Sequence, residues 1–153
     1  MGYQVTLIGI EEAGEIYRSC KNLRFNTAKA DISGICVKVH SEDREIIDMW
    51  RDNFRPMNDE IRTHARIFCL KDDQGDLRVL YNRVTSTVFL YNFDYYGWIK
   101  SMALAMASDI LEDSHKIYSV HGAALDIDGV GVTLIAPSKT GKTTQSWGLL
   151  RMD

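Results

Sequence analysis

Hydrophobic and polar positions follow a two-residue period over several segments of this chain. That alternation predicts strands at Tyr3 to Ile10, Asp31 to His40, His64 to Leu70, Leu77 to Tyr81 and Thr85 to Tyr91. The last three follow one another closely around a polar turn at residues 71–76, which favours antiparallel pairing. The polar stretch between the first two strands has too little pattern to assign.

Two other segments show the three- and four-residue steps of amphipathic helices. Ser41 is a predicted N-cap for a helix from Glu42 to Asn53, which Pro56 ends. Asp94 is the predicted cap of a longer helix that ends near Asp113. Its apolar face is expected to pack in the core and consists of Tyr95, Ile99, Met102, Met106 and Ile110.

Length, composition and charge favour one globular domain over residues 1–153. The chain is 45% hydrophobic and carries 18 basic and 21 acidic residues, without a basic block that would indicate a nucleic-acid partner. Three separated cysteines indicate neither a disulfide framework nor a zinc site. Without an apolar run of about 18 residues or a signal peptide, we expect a cytoplasmic chain with no membrane partner.

A Walker A pattern, A-x-x-x-x-G-K-T, begins at Ala136 between a strand-like run and a helix-like run. Such a loop presents backbone N–H groups and a helix N-terminus to a polyphosphate. The predicted nucleotide-binding residues are Ser138, Lys139, Thr140, Gly141, Lys142, Thr143 and Thr144. Lys142 is placed to reach the β- and γ-phosphates of ATP, and the Thr143 hydroxyl is placed to bind Mg²⁺.

A hairpin is predicted directly before this loop, because Asp128-Gly129 is a two-residue turn sequence typical of a type I′ turn. The register that follows pairs Ile127 with Val130 and sets His121 opposite Ala136, beside the loop. Two alternatives stay open at this stage: His121 is a structural residue at a strand end, or a bulge at Gly131 turns it away.

Three segments together resemble the core of the HPr kinase/phosphorylase family: residues 120–124, residues 128–132 and the loop at residues 138–143. The loop is also similar to that of ATP-dependent phosphoenolpyruvate carboxykinase, which shares the superfamily's nucleotide-binding fold. The resemblance covers about thirty residues. It implies a mixed, largely antiparallel α/β sheet with packed helices around a carboxykinase-like P-loop core, and a homo-oligomer.

The same resemblance implies a kinase that transfers phosphate from ATP, with Mg²⁺, to a serine hydroxyl of a protein, peptide or small molecule. It places His121 at the reacting phosphate as a catalytic residue. The family's catalytic aspartates lie downstream of the loop, so this chain is expected to be truncated at its C-terminal end and inactive alone, and Asp153 is a poor substitute. A nucleotide-sensing regulator and a carboxykinase-like enzyme are the alternative functions.

Overall fold

The computed structural model describes residues 4–151 and has a mixed α/β fold with two compact units, Met1–Lys116 and Ile117–Asp153. Tyr3, the predicted start of the first strand, and Asp153, considered above as a substitute for the catalytic aspartates, lie outside the described residues. Folding of residues 1–153 as one domain stays a prediction. The first unit contains β1 (Val5–Leu7), α1 (Ile10–Ser19), β2 (Asn26–Ile32), β3 (Ile35–Ser41), α2 (Arg44–Asn53), β4 (Ala65–Leu70), β5 (Arg78–Asn82), β6 (Thr87–Tyr91) and α3 (Tyr96–Ile110), and the second contains β7 (Gly122–Ile127), β8 (Val130–Ile135) and α4 (Lys142–Leu149).

The sheet of the first unit has the strand order β1-β5-β6-β4-β3-β2. Antiparallel pairs join β2 to β3 and β5 to β6, whereas β1 with β5, β4 with β6, and β3 with β4 are parallel. A mixed sheet with helices is therefore confirmed, but largely antiparallel pairing is wrong for this unit. Residue alternation carries no information on strand direction, which is why the sequence could not settle it.

The segment predicted as one strand from Asp31 to His40 is a hairpin of β2 and β3. Ser33 and Gly34 form its turn with φ of 53° and 85°, and Asp31 Oδ1 accepts a 2.8 Å hydrogen bond from Gly34 N. Two positive φ values match the right-handed twist of the flanking strands. The stretch left unassigned contains α1 and most of β2, and Ile10 begins α1 instead of ending the first strand.

Both predicted helices exist, but their caps differ from the prediction. Asp43, not Ser41, caps α2, since its Oδ1 accepts a 2.9 Å hydrogen bond from Glu45 N. Ser41 Oγ accepts a 3.1 Å hydrogen bond from Asp43 N and so fixes the residue before the helix. Asp94 forms a 3.8 Å ion pair with Lys71 instead of capping α3.

The predicted apolar face of α3 is largely confirmed. Ile99, Met102 and Met106 are buried and Ile110 is half-buried, whereas Tyr95 is 69% exposed. Tyr95 is the N-cap position, with extended backbone at φ −88° and ψ 109°, so it precedes the helical face. A π-helical turn, Leu111–His115, follows α3.

The two faces of the six-stranded sheet carry separate hydrophobic clusters. On one face, side chains such as Val39, Ile67 and Leu90 pack with Trp50 of α2 and Ile99 of α3. The other face is covered by α1, whose Ala13 packs in a cluster with Phe68 and Phe89.

His40 lies on the face covered by α1 and is stacked on Phe68, with 4.4 Å between ring centroids. Its Nε2 is buried without a hydrogen-bond partner among the described residues. Burial first, and then the charges of Lys38 and Arg66, lower the pKa of His40 from 6.5 to about 4. The unfolded chain therefore binds a proton at higher pH than the folded chain, and stability is lost as pH falls from 6.5 towards 4.

The variant His40→Phe is expected to reduce this acid sensitivity because it keeps the aromatic stack and removes the ionisable ring. Between pH 7 and pH 4 we expect its unfolding free energy to fall less than that of the parent, by on the order of 2 kcal/mol after allowance for partial exposure. Urea unfolding at several pH values measures this. His115→Gln, at an exposed position, is the control. Parallel pH profiles for the parent and His40→Phe would exclude the assignment.

Candidate phosphate-binding loop

The hairpin of the second unit has the register predicted from sequence. Asp128 and Gly129 form the turn with φ of 52° and 81°. Ile127 pairs with Val130, and the pairing continues without interruption to Gly122 with Ile135. Gly131 pairs with Asp126, so the alternative of a bulge at this glycine is wrong.

One face of this hairpin packs against α4. Along both strands half-buried residues alternate with exposed ones, and the half-buried set is Ala123, Leu125, Ile127, Val132 and Leu134. Ser146 of α4 is buried, and its Oγ donates a 2.9 Å hydrogen bond to Lys142 O. That hydrogen bond lies within α4, and the helix itself contacts both β7 and β8.

The 136–143 loop joins β8 to α4 through two residues with left-handed backbone. Lys139 has φ of 66°, and Gly141, the N-cap of α4, has φ of 88°. Gln145 N donates to Gly141 O at 2.9 Å and thus makes the first helical hydrogen bond. The amide groups of residues 142–144 precede it and are the helix N–H groups that need partners outside the helix.

The Lys142 side chain folds back over the 136–143 loop and is half-buried. Its ammonium group donates to Ala136 O at 2.6 Å and to Pro137 O at 3.0 Å. Thr140 Oγ1 also donates to Pro137 O, at 2.7 Å. The positive charge is thus held within the loop, beside the N-terminus of α4.

The other predicted binding residues lie on the exposed side of this turn. Ser138, Lys139, Thr143 and Thr144 are exposed, and the Thr143 hydroxyl has no hydrogen-bond partner within residues 4–151. Across the same residues, no group of three or more His, Cys, Asp or Glu side chains is placed to hold a metal ion. Binding of Mg²⁺ by Thr143 stays a prediction.

His121 is exposed and directly precedes β7. Since Gly122 pairs with Ile135, continuing the register by one residue sets position 121 opposite Ala136, at the start of the loop. No hydrogen bond links His121 to another residue in the described part of the chain. Contact of its ring with a phosphate stays a prediction.

An open groove of about 440 Å³ runs beside the loop, between the end of β8 and α4. Thr140 and Lys142 line it together with Gln145 and Leu149. Sequence reasoning missed the last two, although they follow Lys142 at steps of three and seven residues and so share its side of the helix. The groove gives the loop an adjoining surface for a larger ligand.

The chain matches no protein-family model, and no curated protein matches it. No helix in the described range 4–151 is long and apolar enough to cross a membrane.

Gly141 and Gly148 provide a matched pair of glycines for testing the loop. At Gly141 an alanine must adopt φ of 88°, which costs about 1–2 kcal/mol, and we expect Gly141→Ala to lower both stability and nucleotide affinity. Gly148 lies inside α4, with nothing within 4 Å of an added Cβ, so Gly148→Ala is expected to stabilise by about 0.5–1 kcal/mol. Thermal unfolding with and without Mg–ATP compares them. Equal effects of the two substitutions would contradict the role given to Gly141.

Proposed function

We propose that this chain binds a magnesium nucleoside triphosphate, with ATP as the expected nucleotide, through the 136–143 loop. The observation that carries the proposal is the geometry of the loop. A strand turns through Gly141 into α4, and the Lys142 ammonium group lies over the carbonyls of Ala136 and Pro137. A helix N-terminus, free amide groups and a lysine then converge on one place, as polyphosphate binding requires.

In this proposal the phosphate oxygens replace the loop carbonyls as partners of Lys142, and the amide groups of residues 142–144 donate to them. The exposed Thr143 hydroxyl is the metal ligand that this chain supplies. Mg²⁺ neutralises charge on the phosphates when bound. Gly141 keeps the turn free of a side chain, so the backbone can approach the phosphates closely.

We further propose that this site is a phosphotransferase core similar to that of HPr kinases, acting on a serine or other hydroxyl acceptor. The resemblance and the confirmed hairpin register support this, because the register sets His121 at the start of the loop. The expected role of His121 is to contact the transferred phosphoryl group. The acceptor hydroxyl must then be positioned in line with the γ-phosphate, and positioning supplies most of the catalysis in such enzymes.

A nucleotide-sensing regulator is the second candidate, and the placement of acidic residues favours it. Within residues 117–151 the carboxylates are those of Asp126 and Asp128, at the turn of the hairpin. The loop begins at the opposite end of β8, about 17 Å away at the rise of an extended strand. At that distance these carboxylates do not reach a hydroxyl that attacks the γ-phosphate, whereas nucleotide binding without transfer needs no proton acceptor.

Calorimetric titration of the whole chain with Mg–ATP tests the binding proposal. We expect saturable binding at one site, with AMP bound much more weakly because it lacks the β- and γ-phosphates that Lys142 contacts. Omission of Mg²⁺ should weaken ATP binding. Equal affinities for AMP and ATP would place recognition on the nucleoside and would contradict a phosphate-binding loop.

A further inference from the structure

The first unit contains a second groove, of about 360 Å³, on the sheet face covered by α1. Ala13, Gly14 and Tyr17 of α1 form one wall, and Arg66 of β4 and Phe89 of β6 lie on the sheet side. It belongs to neither the hairpin nor the 136–143 loop, and the nucleotide proposal gives it no role. Its volume falls within the range of small-molecule sites.

Arg66 belongs to a row of basic residues across this sheet. The register sets Lys29 opposite Lys38 and Lys38 opposite Arg66, so three cationic side chains occupy adjacent strands at one level. Like charges directly opposite each other destabilise a sheet. The positive charge of Lys29 is stabilised, because its ammonium group donates hydrogen bonds to two backbone carbonyl oxygens, Asp59 O at 2.5 Å and Ile61 O at 2.8 Å.

Arg66, in contrast, has no compensating partner. Its guanidinium group forms no hydrogen bond or ion pair with any residue in the range 4–151, although the side chain is half-buried. The arginines on β5 and after it are paired, Arg78 with Asp72 and Arg83 with Asp109 and Asp113. A half-buried guanidinium beside a groove is therefore left with five N–H donors for a ligand.

Positive charge at this face also bears on the pKa of His40. After burial, Lys38 and Arg66 are the main causes that hold the pKa of His40 at about 4. The acid nearest to this row on β2, Asp31, accepts a hydrogen bond from Gly34 N. The field around Arg66 therefore favours an anion.

The other groups described at the groove are apolar side chains or hydroxyl groups that already donate hydrogen bonds within the protein. Phe89 and Ala13 are buried, and the Tyr17 ring packs edge-on against Phe68 with 5.7 Å between centroids. The two threonines at the groove use their hydroxyl protons within the protein: Thr85 Oγ1 donates to Asn82 Oδ1 at 2.9 Å, and Thr87 Oγ1 donates to Thr85 O at 3.1 Å. One cationic group beside apolar walls matches a ligand with one acidic group and an apolar body.

We propose that this groove binds a small apolar monocarboxylate, with the carboxylate on the Arg66 guanidinium and the apolar body between α1 and Phe89. A guanidinium accommodates a carboxylate through two parallel N–H···O hydrogen bonds, which gives the ligand a fixed orientation. Such binding is independent of the nucleotide and of the second unit.

Benzoate is the probe, and benzamide is its neutral counterpart. Titration of the whole chain without nucleotide, followed by ¹⁵N chemical shifts, should show saturable benzoate binding at α1 and β4. Benzamide and inorganic phosphate should bind at least about tenfold more weakly, since the first lacks the charge and the second the apolar body. Absence of saturable benzoate binding overturns the proposal, as does phosphate binding equal to that of benzoate.

Three variants locate the site. Arg66→Gln should weaken benzoate binding about tenfold or more. Arg44→Gln removes the same charge from α2, on the opposite face, and should leave binding within about twofold. Gly14→Leu should block the groove while the helix is retained, because a Cβ at Gly14 meets Arg18 Nη1 at 3.5 Å, an ordinary contact. Unchanged binding in Arg66→Gln or Gly14→Leu, with folding verified by circular dichroism, would refute the site.

Discussion

Lys142→Ala is expected to weaken binding of Mg–ATP by about 10- to 100-fold, the amount associated with a lost charge-assisted hydrogen bond. The ammonium group of Lys142 lies within the loop, 2.6 Å from Ala136 O and 3.0 Å from Pro137 O. It therefore reaches the place where the phosphates are proposed to lie. Calorimetric titration of the variant with Mg–ATP measures the loss.

Lys139→Ala is the matched control, because it removes the same charge from the same loop. Lys139 is exposed and makes no hydrogen bond within the described range, so we expect its loss to change affinity by less than about threefold. Similar losses for the two variants would mean that the loop attracts nucleotide only by net charge, and the assignment of Lys142 would be wrong.

The second large effect concerns turnover: the 153-residue chain is expected to bind Mg–ATP without transferring phosphate to a hydroxyl. Proton removal by a positioned base is typically worth 10² to 10⁴-fold in rate. Asp126 and Asp128 lie at the far end of β8 from the loop and cannot supply it. Phosphate binding by the loop stabilises the bound nucleotide, and such ground-state binding does not by itself accelerate phosphoryl transfer.

Incubation with labelled ATP and a panel of serine-containing peptides and small alcohols tests this expectation. The Lys142→Ala variant gives the background rate under the same conditions. Labelled product from the parent chain at that background rate is the expected result. Acceptor-dependent transfer well above it would show that a residue of this chain acts as the base, and the sensor alternative would then be excluded.

The hairpin shows which structural features the sequence could predict. Asp128-Gly129 is a local signal, because only residues that tolerate positive φ occupy both turn positions, and it set the whole register from Ile127 to Gly122. The Ser33-Gly34 turn has a similar local sequence, but the apolar residues around it led to the prediction of one continuous strand. The cap of α2 shifted by two residues because Ser41 and Asp43 are both polar side chains suited to capping. The N-cap of α3 is one residue later than predicted, at Tyr95, which makes no side-chain capping hydrogen bond.

Pairing between distant strands and the groove at Arg66 could not be predicted in this way. The pairing of β4 with β6 depends on tertiary packing. Arg66 is recognised as part of a row of positive charges only after the pairing of β3 with β4 sets it opposite Lys38. In the sequence, Arg66 is one polar residue in a strand of alternating polar and apolar residues, a pattern typical of a solvent-exposed position. The loop residues could be predicted as a phosphate-binding motif because their spacing is local, whereas the groove lined by Gln145 and Leu149 became visible only with the helix placed against β8.

Backbone amide chemical shifts of the ¹⁵N-labelled chain, recorded during titration with a non-hydrolysable Mg–ATP analogue, test the central claim most directly. The predicted result is saturable shifts concentrated at residues 138–144, from amide groups that gain phosphate partners, with Arg66 and α1 unaffected. Shifts confined to the first unit, or none at the amide groups of Gly141 to Thr144 at saturating analogue, would contradict a nucleotide site in this loop.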